Sequence, residues 1–164
     1  MTLWHPTCII RHRRENLKKC SLSGLEGESG FIFHTYPNCI DTLPSLNDYV
    51  ILDLEGAPLS KEEHSKGLIL IDATWRLAAK MLGQLHVLKD IPKRSIPSGF
   101  QTAYPRRQED CIDPTAGLAS IEALYIAYTL LGRPCISLDH YYWKEAFLQK
   151  NEQLFKLIDK NSIR

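Results

Sequence analysis

The hydrophobic positions of this chain fall into two textures. In the first half, short aliphatic runs are cut by polar turns. Leu68–Ile71 is an unbroken aliphatic run preceded by Gly67, which predicts a strand buried on both faces, as in the interior of a parallel sheet. It stops at Asp72, Thr74 and Trp75, polar and aromatic residues at the C-terminal edge where α/β sheets bind ligands. Thr7–His12 predicts a first strand and Gly30–Tyr36 an aromatic, alternating second strand ended by Pro37. Tyr49–Leu54 predicts a third, led in by Asn47 and Asp48 and closed by Glu55 and Gly56. Ser60 is placed to cap a short helix, with Glu63 completing a capping box, before Gly67 resets the chain. From Arg76 to Leu85 the apolar residues take helical spacing among good helix formers. Strands alternating with short helices predict an α/β domain built on a parallel sheet.

The second half reads differently. Residues 86–115 carry Pro92, Pro97, Pro105 and Pro114 among many charges, predicting long loops around one short strand near Arg94 to Pro97. Loops of that length in a compact domain are usually functional. Gly117–Leu131 predicts a strongly apolar helix, ended by Gly132 ahead of Pro134. A last amphipathic helix is expected from about Asp139, with Tyr142, Ala146, Leu154 and Leu157 among its apolar positions. The expected division is an N-terminal α/β part, residues 1–98, and a mostly helical C-terminal part, residues 99–164, in one compact unit.

Composition narrows the classes. The 164 residues suffice for a proper core. No apolar run approaches the roughly 20 residues needed to span a bilayer, and Met1–His5 lacks the regions of a signal peptide, so no membrane partner and a cytoplasmic location are expected. The cysteines Cys8, Cys20, Cys39, Cys111 and Cys135 are odd in number and never spaced Cys-x-x-Cys; they are read as small buried hydrophobes, with neither a disulfide framework nor a metal site. Basic and acidic side chains nearly balance, 20 against 19, but the basic ones cluster. Arg11, Arg13, Arg14, Lys18 and Lys19 face one acid, Glu15, and Lys89, Lys93, Arg94, Arg106 and Arg107 face one acid, Asp90. Such clusters fit a docked polyanion, whose phosphates release counterions on binding, and equally fit a solvated surface.

Several segments carry a family resemblance. Ile71–Leu82 (IDATWRLAAKML) resembles the signature of the DTW-domain RNA aminocarboxypropyltransferases, and Leu118–Leu124 (LASIEAL) resembles their second motif. The layout around them is more similar to the sister family, the small-subunit ribosomal RNA aminocarboxypropyltransferases. Lys19–Leu25 (KCSLSGL) resembles that family's early Lys-Cys-Ser/Thr element, Glu55–Ser60 (EGAPLS) its acidic-Gly turn, and Tyr142, Trp143, Phe147 and Asn151 its aromatic-Trp-x-x-x-Phe-x-x-x-Asn element. The match spans about residues 8 to 157, with five motifs in order.

The resemblance implies a SPOUT-like α/β fold in which the C-terminal part completes a trefoil knot. It also implies S-adenosylmethionine bound in the knot loops and transfer of the 3-amino-3-carboxypropyl group to a uridine-type base of rRNA or tRNA. A monomer is expected rather than a homo-oligomer. Whichever carbon beside the sulfonium is presented to the nucleophile is attacked, so such a pocket must hide the methyl. Carried over, Ser21 would meet the methionine part of the cofactor, or be a helix N-cap. Asp72, the expected catalytic residue, would reach a ribose hydroxyl, the cofactor ammonium or the base N–H, or cap the following helix. Trp75 would lie beside the adenosine or the aliphatic arm, or pack in the core. Thr74 and Ala78 follow on the same turn and helix. Ile96, Pro97 and Ser98 would form one knot loop and Thr115 to Ser120, including Gly117 and Leu118, the other, giving backbone groups to adenine. Glu122 would stand just inside the following helix, where an acid favours the positive end whatever its role. Arg11, Arg13, Arg14, Lys18, Lys93, Arg94, Arg106 and Arg107 would face RNA, orienting rather than reading it.

Two other classes share part of this pattern. A SPOUT-like RNA methyltransferase would present the methyl of the same cofactor, and a non-catalytic RNA-binding or ribosome-assembly module would keep only the basic clusters. Hydrolase motifs are missing: the sequence has neither a Gly-x-Ser-x-Gly elbow nor a His-Glu-x-x-His helix.

Overall fold

The apolar runs of the first half become four strands and the short segment at residues 93–95 a fifth, all parallel among the described residues. The computed structural model describes residues 4–14, 20–105 and 117–162; of Trp75, Asn161 and Ser162 it describes the backbone. Strands β1 (Thr7–His12), β2 (Phe31–Tyr36), β3 (Tyr49–Pro58), β4 (Gly67–Asp72) and β5 (Lys93–Ser95) lie in the order β2-β1-β4-β3-β5. The described residues fall into two units, one within Met1–Pro58 and Ser65–Ser95, the other within Leu59–His64 and Ile96–Arg164.

In the first unit β4 is central and, as its unbroken aliphatic run predicts, Leu68, Ile69 and Leu70 are all buried. One sheet face, carrying Cys8, Ile10, Tyr49, Ile51 and Ile69, packs against Met81 and Leu85 behind helix α1 (Trp75–Gln84), Leu88, and Tyr36, Cys39 and Leu46. The alternation of a pleated strand turns Ile9 and Arg11 of β1, and Leu68, Leu70 and Asp72 of β4, to the other face. Gly67 is a packing glycine: a Cβ there would enter the ring of Tyr49, its partner in register, whose hydroxyl donates to the Pro6 carbonyl at 2.7 Å.

Chain exits from β1 and β4 diverge. The chain leaves β1 for β2 through residues 20–25, tied by Cys20 to the face that carries Asp72. It leaves β4 through α1, on the opposite face, and reaches β5 beyond β3. Where neighbouring strands send their connections to opposite sides, an α/β sheet opens a crevice at its C-terminal ends. Asp72 stands at that end of β4.

Three boundaries differ from expectation. Glu55 and Gly56 do not close β3; it resumes pairing and runs to Pro58, because Arg94 is opposed first by Leu52 and again by Ala57, with residues 53–56 bulged between. Gly56, at φ +106, allows this bulge, since a Cβ would meet the Lys93 backbone. Helix α2 (Ser120–Leu130) starts three residues later than Gly117, and ends as expected at Gly132, in the left-handed region at φ +73.

The third difference is in the last helix, which divides into α3 (Lys144–Lys150) and α4 (Glu152–Ser162), while Tyr142 precedes the helical residues. Asn151 makes the break. Buried at the junction, its side chain accepts from the Gln101 N–H at 2.8 Å and donates to the carbonyls of Gln101 at 2.8 Å and Phe147 at 2.9 Å. Its backbone keeps the bonds to the Phe147 carbonyl and from the Phe155 N–H, but at φ −110 and ψ 12 it departs from helical geometry and separates α3 from α4. Tyr142 and Leu157, expected on an apolar face, are 86% and 55% exposed, and the second unit packs instead through Phe100, Tyr125, Phe147 and Phe155 with ring centroids 5.4–5.9 Å apart. The capping box stands as read: Ser60 Oγ accepts from the Glu62 N–H and the Glu63 carboxylate accepts from the Ser60 N–H. No helix among the described residues is long and apolar enough to cross a membrane.

Asn151→Ala strands the Gln101 amide and carbonyl at once, while the Phe147 carbonyl keeps the backbone N–H of residue 151. The expected cost is about 1–3 kcal/mol of stability. Urea unfolding measures it, and an unchanged midpoint would show that Asn151 does not hold the junction.

Candidate functional site

At the C-terminal end of β4 the Asp72 carboxylate is buried, 4% exposed. Burying a charge is costly unless it is paired and hydrogen-bonded. Both needs are met on Oδ2, which accepts from Arg11 Nε at 3.2 Å and from the Cys20 thiol at 3.1 Å. Arg11 is the cross-strand partner of Asp72 in the β1–β4 register, so their side chains share one face. Its other nitrogens are also engaged, Nη1 with Glu26 Oε1 at 2.7 Å and Nη2 with the Cys20 sulfur at 3.4 Å, and the guanidinium carbon lies 4.7 Å from the centre of the Phe33 ring. Burial works against the Arg11 charge, but Glu26, Cys20 and Asp72 together outweigh it and raise its pKa. Burial, and then the Asp72 carboxylate, push the Cys20 thiol up to about 12, so it is present as the neutral donor that Asp72 requires.

Sequence places Arg11 among RNA-facing cations, and the structure places it elsewhere: it is 8% exposed, clasped between acids. A residue facing inward from a central strand has no phosphate within reach of its fork. Arg13 and Arg14 do stand exposed where β1 ends. The Arg14 N–H is bonded to His12 Nδ1 at 3.1 Å, and His12, packed against Tyr36, is held below its ordinary pKa by burial and by Arg14, Arg13 and Lys80. Lys80, exposed on α1, acts on His12 in the same direction as Arg14 and Arg13 although it is far from them in sequence. Lys93 is drawn to acids, Asp53 at 3.2 Å and Glu55 at 4.0 Å, and Arg94 is half-buried with Nη1 donating to the Lys93 carbonyl.

Ser21 lies in a turn, residues 21–24, rather than at a helix start, so it is not a helix N-cap. Thr74 caps α1 with its backbone, its carbonyl accepting from the Ala78 N–H at 2.8 Å, and makes no side-chain cap bond. Ala78 is half-buried on that first turn, and Trp75 opens the helix, its side chain lying outside the described structure. Lys18, Arg106, Arg107 and Thr115 lie outside the described residues.

In the second unit, Glu122 is fully buried in the first turn of α2 and its two oxygens are shared by four donors. Oε1 takes the Ala119 N–H at 2.7 Å and the Thr102 hydroxyl at 2.6 Å; Oε2 takes the Ala103 N–H at 2.9 Å and the Tyr141 hydroxyl at 3.0 Å. Ala119 has no side-chain acceptor, so half a capping box forms, and the carboxylate serves the loops instead. It fastens residues 102–103 to the chain entering α2, the segment of Gly117, Leu118 and Ser120, all half-buried. Ile96 and Pro97 are half-buried where this unit's long segment begins. Glu122 is thus a loop-positioning residue, its bonds to protein donors leaving it a structural task that its place in the helix alone does not reveal.

Cys20, Glu26 and Lys80 were not singled out by sequence reasoning. Cys20 sits inside the Lys19–Leu25 motif and was legible there; Glu26 and Lys80 carry no sequence signal, since each matters through a partner distant in the chain.

Thiol chemistry checks this arrangement. Cys8 and Cys20 are pushed up to about 12 and Cys39 is raised, each mainly by burial, whereas Cys135 is exposed. In a Cys111→Ser background, a disulfide reagent at pH 8 is expected to find one fast thiol, Cys135, and three at least tenfold slower. The folded pKa of Cys20 lies above its unfolded value, so the stability it contributes is complete below about pH 9 and lost as pH rises toward 12. Fast modification of Cys20 in the native protein at pH 8 would contradict both statements.

No family model matches the sequence, and no curated protein matches it. Among solved structures, the chain resembles the SAM-dependent rRNA:acp-transferase Tsr3 from Vulcanisaeta distributa, with 21% sequence identity and a TM-score of 0.65 over 92% of this chain and 81% of that one. At that identity the likeness is one of fold.

Proposed function

We propose that this protein is an S-adenosylmethionine-dependent RNA aminocarboxypropyltransferase acting on ribosomal RNA, with a uridine-type base as acceptor. The observation that carries the reading is the shared fold with an rRNA acp-transferase across nearly the whole chain. It is supported by the sequence motifs, two of which, Lys19–Leu25 and Ile71–Leu82, contribute Cys20 and Asp72 to one buried cluster. A SPOUT-like sheet whose C-terminal part is threaded as a trefoil knot belongs to the same reading.

The residues suit the ligand in charge. The Asp72 cluster holds one guanidinium, two carboxylates and a neutral thiol, a net charge of −1. S-adenosylmethionine carries a sulfonium, an ammonium and a carboxylate, a net charge of +1. It supplies a carbon made electrophilic by the sulfonium, so that attack by a base nitrogen forms the C–N bond while the C–S electron pair leaves on sulfur as methylthioadenosine. The nitrogen must shed its proton for that attack, and Asp72 is the acid at the strand end suited to receive it or to hold the cationic arm. Ser21 belongs to the methionine part in this assignment, Trp75, with Thr74 and Ala78 beside it, to the adenosine or the aliphatic arm, and the backbone of Ile96, Pro97, Gly117, Leu118 and Ser120 to the adenine, with Glu122 fastening the chain that enters α2. Arg13, Arg14 and Lys80, with Lys18, Lys93, Arg94, Arg106 and Arg107, are the cations assigned to RNA phosphates in this reading, and Arg11 is withdrawn from that role.

Purified protein given S-adenosylmethionine and ribosomal RNA lacking the modification is expected to release methylthioadenosine only when RNA is present. S-adenosylhomocysteine in its place would mean methyl transfer, and neither product with no heat of cofactor binding would mean a binding module. Asp72→Ala is expected to lower transfer at least tenfold, about 1.4 kcal/mol or more of lost transition-state stabilisation; wild-type turnover in that variant removes Asp72 from the site.

Reversing Arg13 and Arg14 to Glu is expected to weaken RNA binding and flatten its salt dependence while sparing cofactor affinity. An unaltered slope of log affinity against log salt would leave these residues as ordinary solvated surface.

A further inference from the structure

We propose that Arg11 is a positioning residue that holds the Asp72 carboxylate in its working orientation, together with the Cys20 thiol; this role rests on the transferase reading. Arg11 lies in none of the motif segments that carry the family resemblance, and its sequence neighbourhood, a run of basic residues, suggests a surface role. The geometry points inward. Each of the three guanidinium nitrogens meets a different group: Asp72 through Nε, Glu26 through Nη1 and Cys20 through Nη2, with the Phe33 ring beneath. Four pieces of chain, the ends of β1 and β4, the 20–26 turn and β2, are thereby fixed around one planar cation. Fixing matters at Asp72 because a carboxylate on a strand end can rotate about χ2, and an acceptor or counter-charge displaced by an ångström loses most of its use in the transition state. The Cys20 thiol closes the set: it donates to the same Oδ2 that Arg11 grips while its sulfur accepts from Arg11. Each contact in this triangle restrains the other two.

A guanidinium is suited to this and an ammonium is not. Lysine at position 11 would restore one charge but present a point where three fixed donor directions are used. The role is tested by Arg11→Gln, Asp72→Asn, their combination and Arg11→Lys. Three quantities are read for each: cofactor affinity by calorimetry, RNA-dependent methylthioadenosine release, and the urea midpoint. If Arg11 acts through Asp72, whichever of affinity or turnover Asp72→Asn moves, Arg11→Gln moves the same one, by a comparable factor of at least five. The double variant then falls no more than twofold below Asp72→Asn alone. Arg11→Lys is expected to keep most of the stability yet remain at least fivefold below wild type in that same quantity. Losses that multiply in the double variant, or wild-type behaviour of Arg11→Lys, would overturn the role. Should Arg11→Gln fail to fold, Glu26→Gln removes one of the three anchors from a partly exposed partner; a twofold to fivefold loss in the quantity that Asp72 governs is expected, and none would overturn the proposal. Wild-type protein that neither binds the cofactor nor releases methylthioadenosine overturns the transferase reading and this role with it. In that case coupling between Arg11 and Asp72 in the urea midpoints reports a structural ion pair alone.

Discussion

A carboxylate at the end of a buried strand constrains everything near it. Asp72 follows Leu68–Ile71, a run that leaves it enclosed rather than hydrated, so its charge must be met inside the protein. The cation that meets it comes from the neighbouring strand, and strand register decides which residue that is: Arg11 opposite Asp72, both turned to the same face. Slipping β1 by one residue would turn Arg11 to the other face and bring His12 or Ile10 opposite the acid. The sheet register, the path of the 20–26 turn and the burial of Phe33 are thus tied to one ionic requirement.

The second unit solves a similar problem by other means. Glu122 is buried as deeply as Asp72, yet the groups that meet it are uncharged: two backbone amides and two hydroxyls. Distributing one negative charge over four dipoles at a helix start is favourable because the helix end is itself positive. The two acids therefore divide labour. One is held by a cation whose own position depends on the surrounding fold; the other organises loop backbone around itself.

Legibility in the sequence followed the range of the interactions. Strands β1, β2 and β4, the helix after Trp75, the Ser60 capping box and the stop at Gly132 are all set by neighbours within a few positions, and each is found where pattern and cap chemistry put it. What the sequence does not display is pairing. Asp72 and Arg11 are 61 positions apart, and although Arg11 falls in a predicted strand and Arg13 just beyond it, nothing in the sequence names the acid that Arg11 meets. Asn151 belongs to a motif in the sequence, but its task is visible only when Gln101, 50 positions away, supplies a backbone for it to bond at the break between α3 and α4. The candidate site was legible as a place, the end of the Leu68–Ile71 strand, through a local pattern joined to a family resemblance. Its internal wiring was not, because its contacts join residues 9 to 61 positions apart.

The bulge in β3 bears on how the sheet ends. Beyond β3 there is β5, with three residues, two of them cationic, held by a partner strand that pairs twice with Arg94 and leaves residues 53–56 looped out. An exposed strand edge normally invites another strand to zip on. Here a newcomer would find too few amide and carbonyl groups for a ladder, a kinked line to follow, and Lys93 with its attendant acids at the margin. Sheet growth on that side is terminated by the chain's own composition, leaving the molecule able to keep a parallel sheet without an open border beside β5.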